Sequence, residues 1–382
     1  MRETLRYGQV GGSLDAFIGA VHRIGASFDG RAALTAGCFS GNAEKNRRCG
    51  AFFHLDEDRI YDNYEIMAKT ESARSDGIDF VVISTPNSTH YEIARAFLLA
   101  GINVLCEKPL CFDTEQALEL RRLAAEKDAL FCVNYSYSGC GMVKEARALI
   151  RRGVIGEVIN VNAEYLQEYL VDDVVAGEDT MVKLSSWRKD PAVAGVSNCV
   201  GDIGSHIEHT VAYMTGLRLR RVAAKLDYFG QPLDLNANIL VEFDNGAHGV
   251  FCCSQVCVGH MNGLAVRVFG TKGAIEWVQE NPNVLYVTLK GQPTQIYNRG
   301  MGYISEEARA FNLLPSGHPE GVYEAFANIY RAWIGALLKK VNGEAFAEGD
   351  CDFPTLEDGL NGVRFIHACV ESSGKDAAWV EI

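Results

Sequence analysis

At 382 residues the chain exceeds the usual span of one domain and points to two. Its formal net charge of −13 sets it against phosphate backbones and anionic bilayers, so neither nucleic acid nor a membrane is expected as a partner. Hydrophobic residues at 48% suffice for a sizeable core, and no apolar run reaches bilayer-spanning length. The 12 cysteines are scattered without C-x-x-C pairs, several of them (Cys106, Cys132, Cys199, Cys252, Cys253) inside apolar runs. Free buried thiols and a cytoplasmic location are the expectation, with no signal-peptide core in the first residues.

The first third alternates short apolar runs with helical periodicity. Strands are predicted over Leu5–Val10, Ala33–Phe39, Asp79–Ser84, Asn103–Cys106 and Leu130–Val133. Helices are predicted over Asp15–Phe28, with Phe17, Val21 and Ile24 on its apolar face, and over His90–Ala100 and Glu115–Lys127. Continuous apolar strands separated by helices indicate a doubly wound parallel sheet covered on both faces. After about Arg147 the strands lengthen and alternate, as in VINVNAEYLQEY, and Asn245-Gly246 sits between two such runs as a hairpin turn. Helices return at Glu320–Val341, with Val322, Phe326, Ile329, Trp333 and Leu337 on one stripe, and at Thr355–Ser373. The expected architecture is α/β plus α+β. Residues 1–135 form the dinucleotide-type domain. Residues 136–382 form a second, α+β domain on a large open, mostly antiparallel sheet, with late helices able to pack back on the first domain.

The turn after the first strand carries Gly11, Gly12, Ser13 and Ala16, with Phe17 and Ile18 opening the helix behind it. A dinucleotide fingerprint wants G-x-G-x-x-G/A, so that backbone N–H groups reach the pyrophosphate. Gly11 and Ala16 fit, while Ser13 replaces the second glycine. The second strand ends without the acid that would hydrogen-bond a ribose 2′-hydroxyl; Ser40 and Lys45 stand there instead and can hold a 2′-phosphate. NADP(H) is the expected cofactor, with NAD(H) as the alternative.

Three further segments follow in order: Thr85-Pro86-Asn87 with His90, Glu107-Lys108-Pro109, and Gly201-Asp202-Ile203-Gly204-Ser205-His206. Oxidation of a carbinol needs a base for the hydroxyl proton and a group that orients the hydroxyl. Asp202 and His206 at i and i+4 share a helical face, and an imidazole titrates near neutrality. Lys108 ends a parallel strand, where ligands of such sheets bind. The plainer readings are a helix N-cap for Asp202 and a core place for Tyr135. Asp202, His206 and His209 mimic a metal stripe, but no metal is expected. Asn134 belongs to the cofactor end. Tyr135, Tyr165, Gln167, His209 and His318 are candidate substrate contacts.

The ordered set of motifs resembles the Gfo/Idh/MocA oxidoreductase family over essentially the whole chain. The SGNAEK segment is similar to its NADP-using glucose–fructose oxidoreductase branch. The resemblance implies a Rossmann domain, catalytic roles for Lys108, Asp202 and His206, and a Trp187–Arg188 pair near the nicotinamide carboxamide. It also implies a lysine turn often held by a cis bond at Pro109, a sugar or cyclitol substrate bound by residues 136–382, and a homodimer or homotetramer, with the same residues as the substrate-binding and oligomerisation domain. Competing readings are a cofactor-binding sensor, an NAD-dependent glycosidase, and an oxidoreductase that never releases its NADP.

Overall fold

The computed structural model describes residues 1–175, 186–347 and 349–382. The chain divides into two compact units, residues 1–136 with 322–360, and residues 137–321 with 361–382.

The first unit opens with β1 (Leu5–Gly11), α1 (Phe17–Ser27), β2 (Ala32–Cys38), α2 (Ala43–Phe52), α3 (Tyr64–Ala73), β3 (Phe80–Ser84), α4 (His90–Leu99), β4 (Asn103–Cys106), α5 (Thr114–Glu126) and β5 (Phe131–Val133). The five strands pair in parallel in the order β2-β1-β3-β4-β5. All five residues of β3 are buried. A strand covered on both faces loses the in-out alternation, which is why FVVIS reads as an unbroken apolar run. Asn42, Asn63 and Asp113 cap α2, α3 and α5 through side-chain oxygens. At α1 the cap position is Ala16, with no side-chain cap and no acid in the first turn.

The second unit contains α6 (Gly141–Arg151), β6 (Val158–Leu166), α7 (Val171–Val175), α8 (Pro191–Ala194) and α9 (Ser205–Thr215). It continues with β7 (Leu219–Asp227), β8 (Asn236–Phe243), β9 (His248–Ser254), β10 (Gly263–Gly270), β11 (Gly273–Val278), β12 (Val284–Leu289), β13 (Gln295–Asn298) and α10 (Glu306–Arg309). The chain closes with α11 (Val322–Val341) in the first unit, then α12 (Leu356–Gly374) and β14 (Val380–Glu381). Nine strands form one sheet in the order β13-β12-β11-β10-β6-β9-β8-β7-β14. Every pairing is antiparallel except β6 with β9. The expected hairpin forms between β8 and β9, with Gly246 at φ 85°. Val161, Ala163, Ile239, Val241, Phe251, Val266 and Trp277 point from alternate positions into one core. On the open face the Arg267 guanidinium bridges Glu164 and Glu276.

Two helical stripes differ from expectation. In α1, Val21 is fully buried but Phe17 and Ile24 are exposed; Gly19, His22, Gly25 and Ala26 complete the buried face. Small residues are needed there because α11 approaches closely: a Cβ on Gly25 would lie 2.9 Å from the Tyr330 ring. In α11, Phe326, Ile329, Trp333 and Leu337 are buried as expected, and Val322 is exposed at the helix start. All 12 cysteines are free. Cys252 is half-buried on the open sheet face, while its neighbour Cys253 points into the core. Among the described residues no helix is long and apolar enough to cross a membrane.

Candidate active site

The dinucleotide turn begins where β1 ends. Gly11 and Gly12 both adopt positive φ, 80° and 65°. A Cβ on Gly12 would fall 2.3 Å from Gln9 Nε2 and 2.8 Å from the Cα of Gly19, so neither glycine position tolerates a side chain. The close helix–strand approach is therefore made by Gly12 against Gly19, seven residues on and absent from the sequence reading. Beneath the turn the fully buried Gln9 donates to Ser84 Oγ at 3.2 Å, and Arg23 donates to Gln9 Oε1 at 2.9 Å and to the Gly12 carbonyl at 2.7 Å. Ser13 is buried, Ala16 donates its N–H to the Ser13 carbonyl, Ile18 is half-buried and Phe17 is exposed. A backbone concavity next to a helix start that lacks its own cap or acid suits a pyrophosphate.

At the ribose end Asn46, fully buried, clamps Ser40 by accepting its N–H and donating to its carbonyl, both at 2.8 Å. The Ser40 hydroxyl accepts from the Asn42 N–H at 3.2 Å. Lys45 pairs with the exposed Asp15 at 2.9 Å. A recess of about 160 Å³ here is lined by Leu14, Asp15, Asn42, Glu44, Lys45 and Arg48, together with Cys49.

The two turns after β3 and β4 are tied together. Thr89 donates its hydroxyl to Thr85 Oγ1 at 2.8 Å, and Asn87–Thr89 form a 3₁₀ turn after Pro86. His90 is fully buried, with Nδ1 2.8 Å from the Pro109 carbonyl and Nε2 2.9 Å from that of Thr85; burial depresses its pKa. The Lys108–Pro109 peptide bond is cis. Glu107 accepts from Asn134 Nδ2 at 2.5 Å, from the Lys108 N–H at 3.2 Å, and from His22 Nε2 at 2.9 Å. Burial pushes its carboxyl up, but the hydrogen bond and charge of His22, with Lys108 and Asn134, bring it below the usual range. Lys108 is half-buried; Asn134 and Tyr135 are buried.

In the second unit Val200–Gly204 form a π-helical turn that runs directly into α9. Asp202 therefore lies before α9 rather than inside a regular α-helix with His206. It is not the N-cap either, because that position is Gly204, with no side-chain cap. Such one-turn widenings recur at functional sites. Asp202 accepts from Gln255 Nε2 at 3.2 Å and lies 3.4 Å from Arg188 Nε. The Arg188 guanidinium stacks 4.5 Å from the centroid of the Trp187 ring. Gln255 is fully buried and fixed from behind: Asn198 donates to its Oε1 at 2.7 Å, and it also donates to the Tyr169 hydroxyl at 2.9 Å. Asn198 in turn is anchored by its N–H to Asp234, whose buried carboxyl is raised by desolvation against the restraining N–H groups of Val200 and Asn198.

The buried His206 ring faces Tyr137 edge-on at 4.8 Å between centroids, and Tyr165 at 6.2 Å. Those two tyrosines and Asn262 close a hydrogen-bonded ring. The phenol oxygens are 2.6 Å apart, Tyr165 donates to Asn262 Oδ1 at 2.6 Å, and Asn262 Nδ2 reaches Tyr137 at 3.5 Å. Gln167 donates to the same Asn262 oxygen at 2.9 Å. Burial pushes the Tyr137 phenol up to about 12 and raises that of Tyr165 as well. His209 is buried and stacked on Tyr213, with ring centroids 6.1 Å apart. His318 sits on an exposed loop whose carbonyl accepts from Arg299. Tyr137, Asn262, Gln255 and Tyr169 are absent from the sequence reading. Tyr137 and Tyr169 each lie two residues after a singled-out position, Tyr135 and Gln167; nothing local marks Asn262 or Gln255. Among the described residues no three His, Cys, Asp or Glu side chains are grouped to hold a metal ion.

Comparison with known proteins agrees on the family. The pattern of the oxidoreductase family with NAD-binding Rossmann fold matches residues 6–135, and that of the GFO/IDH/MocA C-terminal domain matches residues 143–276. An uncharacterized oxidoreductase of Bacillus subtilis (strain 168) is 36% identical, covering 99% of this chain and 96% of its own. A levoglucosan dehydrogenase of Pseudarthrobacter phenanthrenivorans is 27% identical, covering 80% of each. The solved inositol dehydrogenase homolog complexed with NAD+ from Azotobacter vinelandii superposes with a TM-score of 0.93 at 34% identity, over 100% of this chain and 98% of that one. With both halves matched and the parallel-sheet turn shaped for a dinucleotide, this chain belongs to the GFO/IDH/MocA family and is an NAD(P)-dependent oxidoreductase.

Proposed function

We propose that this enzyme interconverts a CH–OH and a C=O carbon on a sugar, sugar derivative or cyclitol. Residues 1–135 hold the cofactor and residues 136–382 the substrate. The observation that carries the reading is the cluster whose two phenols pack on the His206 ring: Tyr137, Tyr165, Asn262 and Gln167 in one hydrogen-bonded group, with Asp202 on the π-turn that leads into the same helix. Such a wall of neutral donors and acceptors matches a ligand rich in hydroxyls. The relatives named for inositol and levoglucosan fit the same class.

Gly11, Gly12, Ser13 and Ala16, with the Thr85–Asn87 and Glu107–Pro109 turns and Asn134, hold the dinucleotide; Trp187 and Arg188 flank its nicotinamide end. A bound nicotinamide supplies the hydride acceptor or donor. His206 takes the hydroxyl proton in oxidation and returns it in reduction. Asp202, aimed by Gln255, orients the hydroxyl or the imidazole. The Lys108 ammonium stabilises developing alkoxide charge. Tyr165 and Gln167 read further hydroxyls, and His209 supports the helix carrying His206. NADP(H) is the proposed cofactor, because Ser40 and Lys45 stand where an acid would repel a 2′-phosphate. NAD(H) is the second reading, favoured by the Lys45–Asp15 ion pair, which occupies the same lysine.

The test is a panel of free sugars and cyclitols with NADP+ and NAD+, followed at the nicotinamide absorbance. At least one polyol is expected to reduce cofactor stoichiometrically. Tight cofactor binding with no turnover of any polyol would overturn the substrate assignment.

A further inference from the structure

We propose that His22 is a positioning residue for the lysine turn: held by Tyr330, its imidazole fixes the Glu107 carboxylate, which in turn fixes the backbone at Lys108 and the side chain of Asn134. The inference rests on the reading above that this turn contacts cofactor and substrate.

The geometry is directional. His22 is fully buried on α1, with Nε2 2.9 Å from Glu107 Oε1 and Nδ1 2.9 Å from the Tyr330 hydroxyl, itself fully buried on α11. An ionised carboxylate only accepts, so Nε2 carries a proton; Nδ1 accepts from the Tyr330 hydroxyl when the ring is neutral and donates to it when the ring is protonated, and Nε2 donates to Glu107 in both. Phe326 meets the imidazole edge-on at 5.3 Å and holds the ring plane. Glu107 spends its remaining capacity on Asn134 Nδ2 and the Lys108 N–H. The chain Tyr330–His22–Glu107 thus ends on two residues at the carboxyl ends of β4 and β5, where ligands of such sheets bind. An apolar side chain would pack between α1 and α11 without the cost of burying an imidazole beside a carboxylate. The polar choice is explained by what it aims.

The titratable groups facing Glu107 are His22 from α1, Tyr330 from α11, His90 from α4, Lys108 on its own turn, and the thiols Cys106 and Cys132. Burial works to protonate Glu107, and the largest opposing contribution comes from His22. Without that partner the carboxyl takes up a proton at higher pH, and its grip on the turn weakens.

The experiment is a double-mutant cycle on the full-length protein with His22→Phe, Glu107→Gln and the pair. It is read first as the dissociation constant for NADPH or NADH, whichever the wild type binds tighter, across mildly acidic to mildly alkaline pH. His22→Phe is expected to weaken binding about tenfold, more as pH falls, but to add less than about twofold in the Glu107→Gln background. Tyr330→Phe, which removes one oxygen, gives a smaller loss with the same dependence on Glu107 and stands in if His22→Phe does not fold. Equal losses in both backgrounds, or no loss in either, would overturn the positioning role and leave packing alone. Turnover of a polyol is read in the same proteins. A coupled binding cycle in a protein that turns over no polyol would sink the proposed substrate class and leave this inference standing.

Discussion

Around Lys108 the first unit combines backbone with side chains: strand ends, glycines that exclude a Cβ, and carbonyls held by His90 and Arg23, with the Tyr330–His22–Glu107 chain behind the turn. Around His206 the second unit relies on side chains meeting side chains. Tyr137, Tyr165, Asn262, Gln167, Gln255 and Asp202 converge from segments as much as 125 positions apart. The contrast teaches where generality and specificity reside. A backbone-built turn suits a cofactor whose pyrophosphate is always the same. A cage of exchangeable side chains lets one fold read different polyols.

The contrast can be broken at its rigid end first. Gly12→Ala places a methyl at positive φ against Gln9 and Gly19, and is expected to cost about 1–3 kcal/mol of stability and most cofactor affinity. Near-normal melting temperature and dinucleotide binding would show that the turn is softer than described. At the side-chain end, Gln255→Leu strips Asp202, Asn198 and Tyr169 of a partner. It should lower kcat about tenfold, with cofactor affinity within about twofold, since a lost buried partner costs about 1–3 kcal/mol. A parallel loss of cofactor binding would blur the division between the units.

Ser40→Asp sharpens the cofactor side. A carboxylate there is expected to weaken NADP+ by about tenfold (about 1.4 kcal/mol) while sparing NAD+; equal effects on the two would end the phosphate-pocket reading. The smallest effect concerns pH. Glu107 ionises at lower pH in the folded chain than its ordinary 4.5, so between the two values the folded state binds fewer protons. Its stabilising contribution is therefore present above that value and lost as pH falls through the folded-state value. Glu107→Gln should lower the melting temperature by about 2–4 °C near neutrality, with the gap closing in acid. A pH-independent gap would show that shape rather than charge matters there.

The same contrast explains what could be read from sequence. The parallel strands, the Gly11–Gly12 turn and the Thr85 and Glu107 segments are local, and their backbone geometry dictates residue types that leave a printable pattern. Phe17 and Ile24 are apolar positions of α1 that stay exposed, because the face against α11 demands glycine and alanine at the contact. Asp202 and His206 were legible as a pair, but the π-turn beneath them was not, because one extra residue per turn leaves no compositional mark. Asn262 and Gln255 were invisible. Their importance comes from register across β6, β9 and β10, which a single sequence does not encode locally.

The proton-transfer role of His206 is tested most directly by His206→Ala in steady-state and single-turnover assays with the best polyol from the panel, alongside a cofactor-binding titration. The account predicts a fall in turnover of about 10²–10⁴-fold, with dinucleotide affinity within about twofold of wild type. Undiminished turnover in the variant would contradict it.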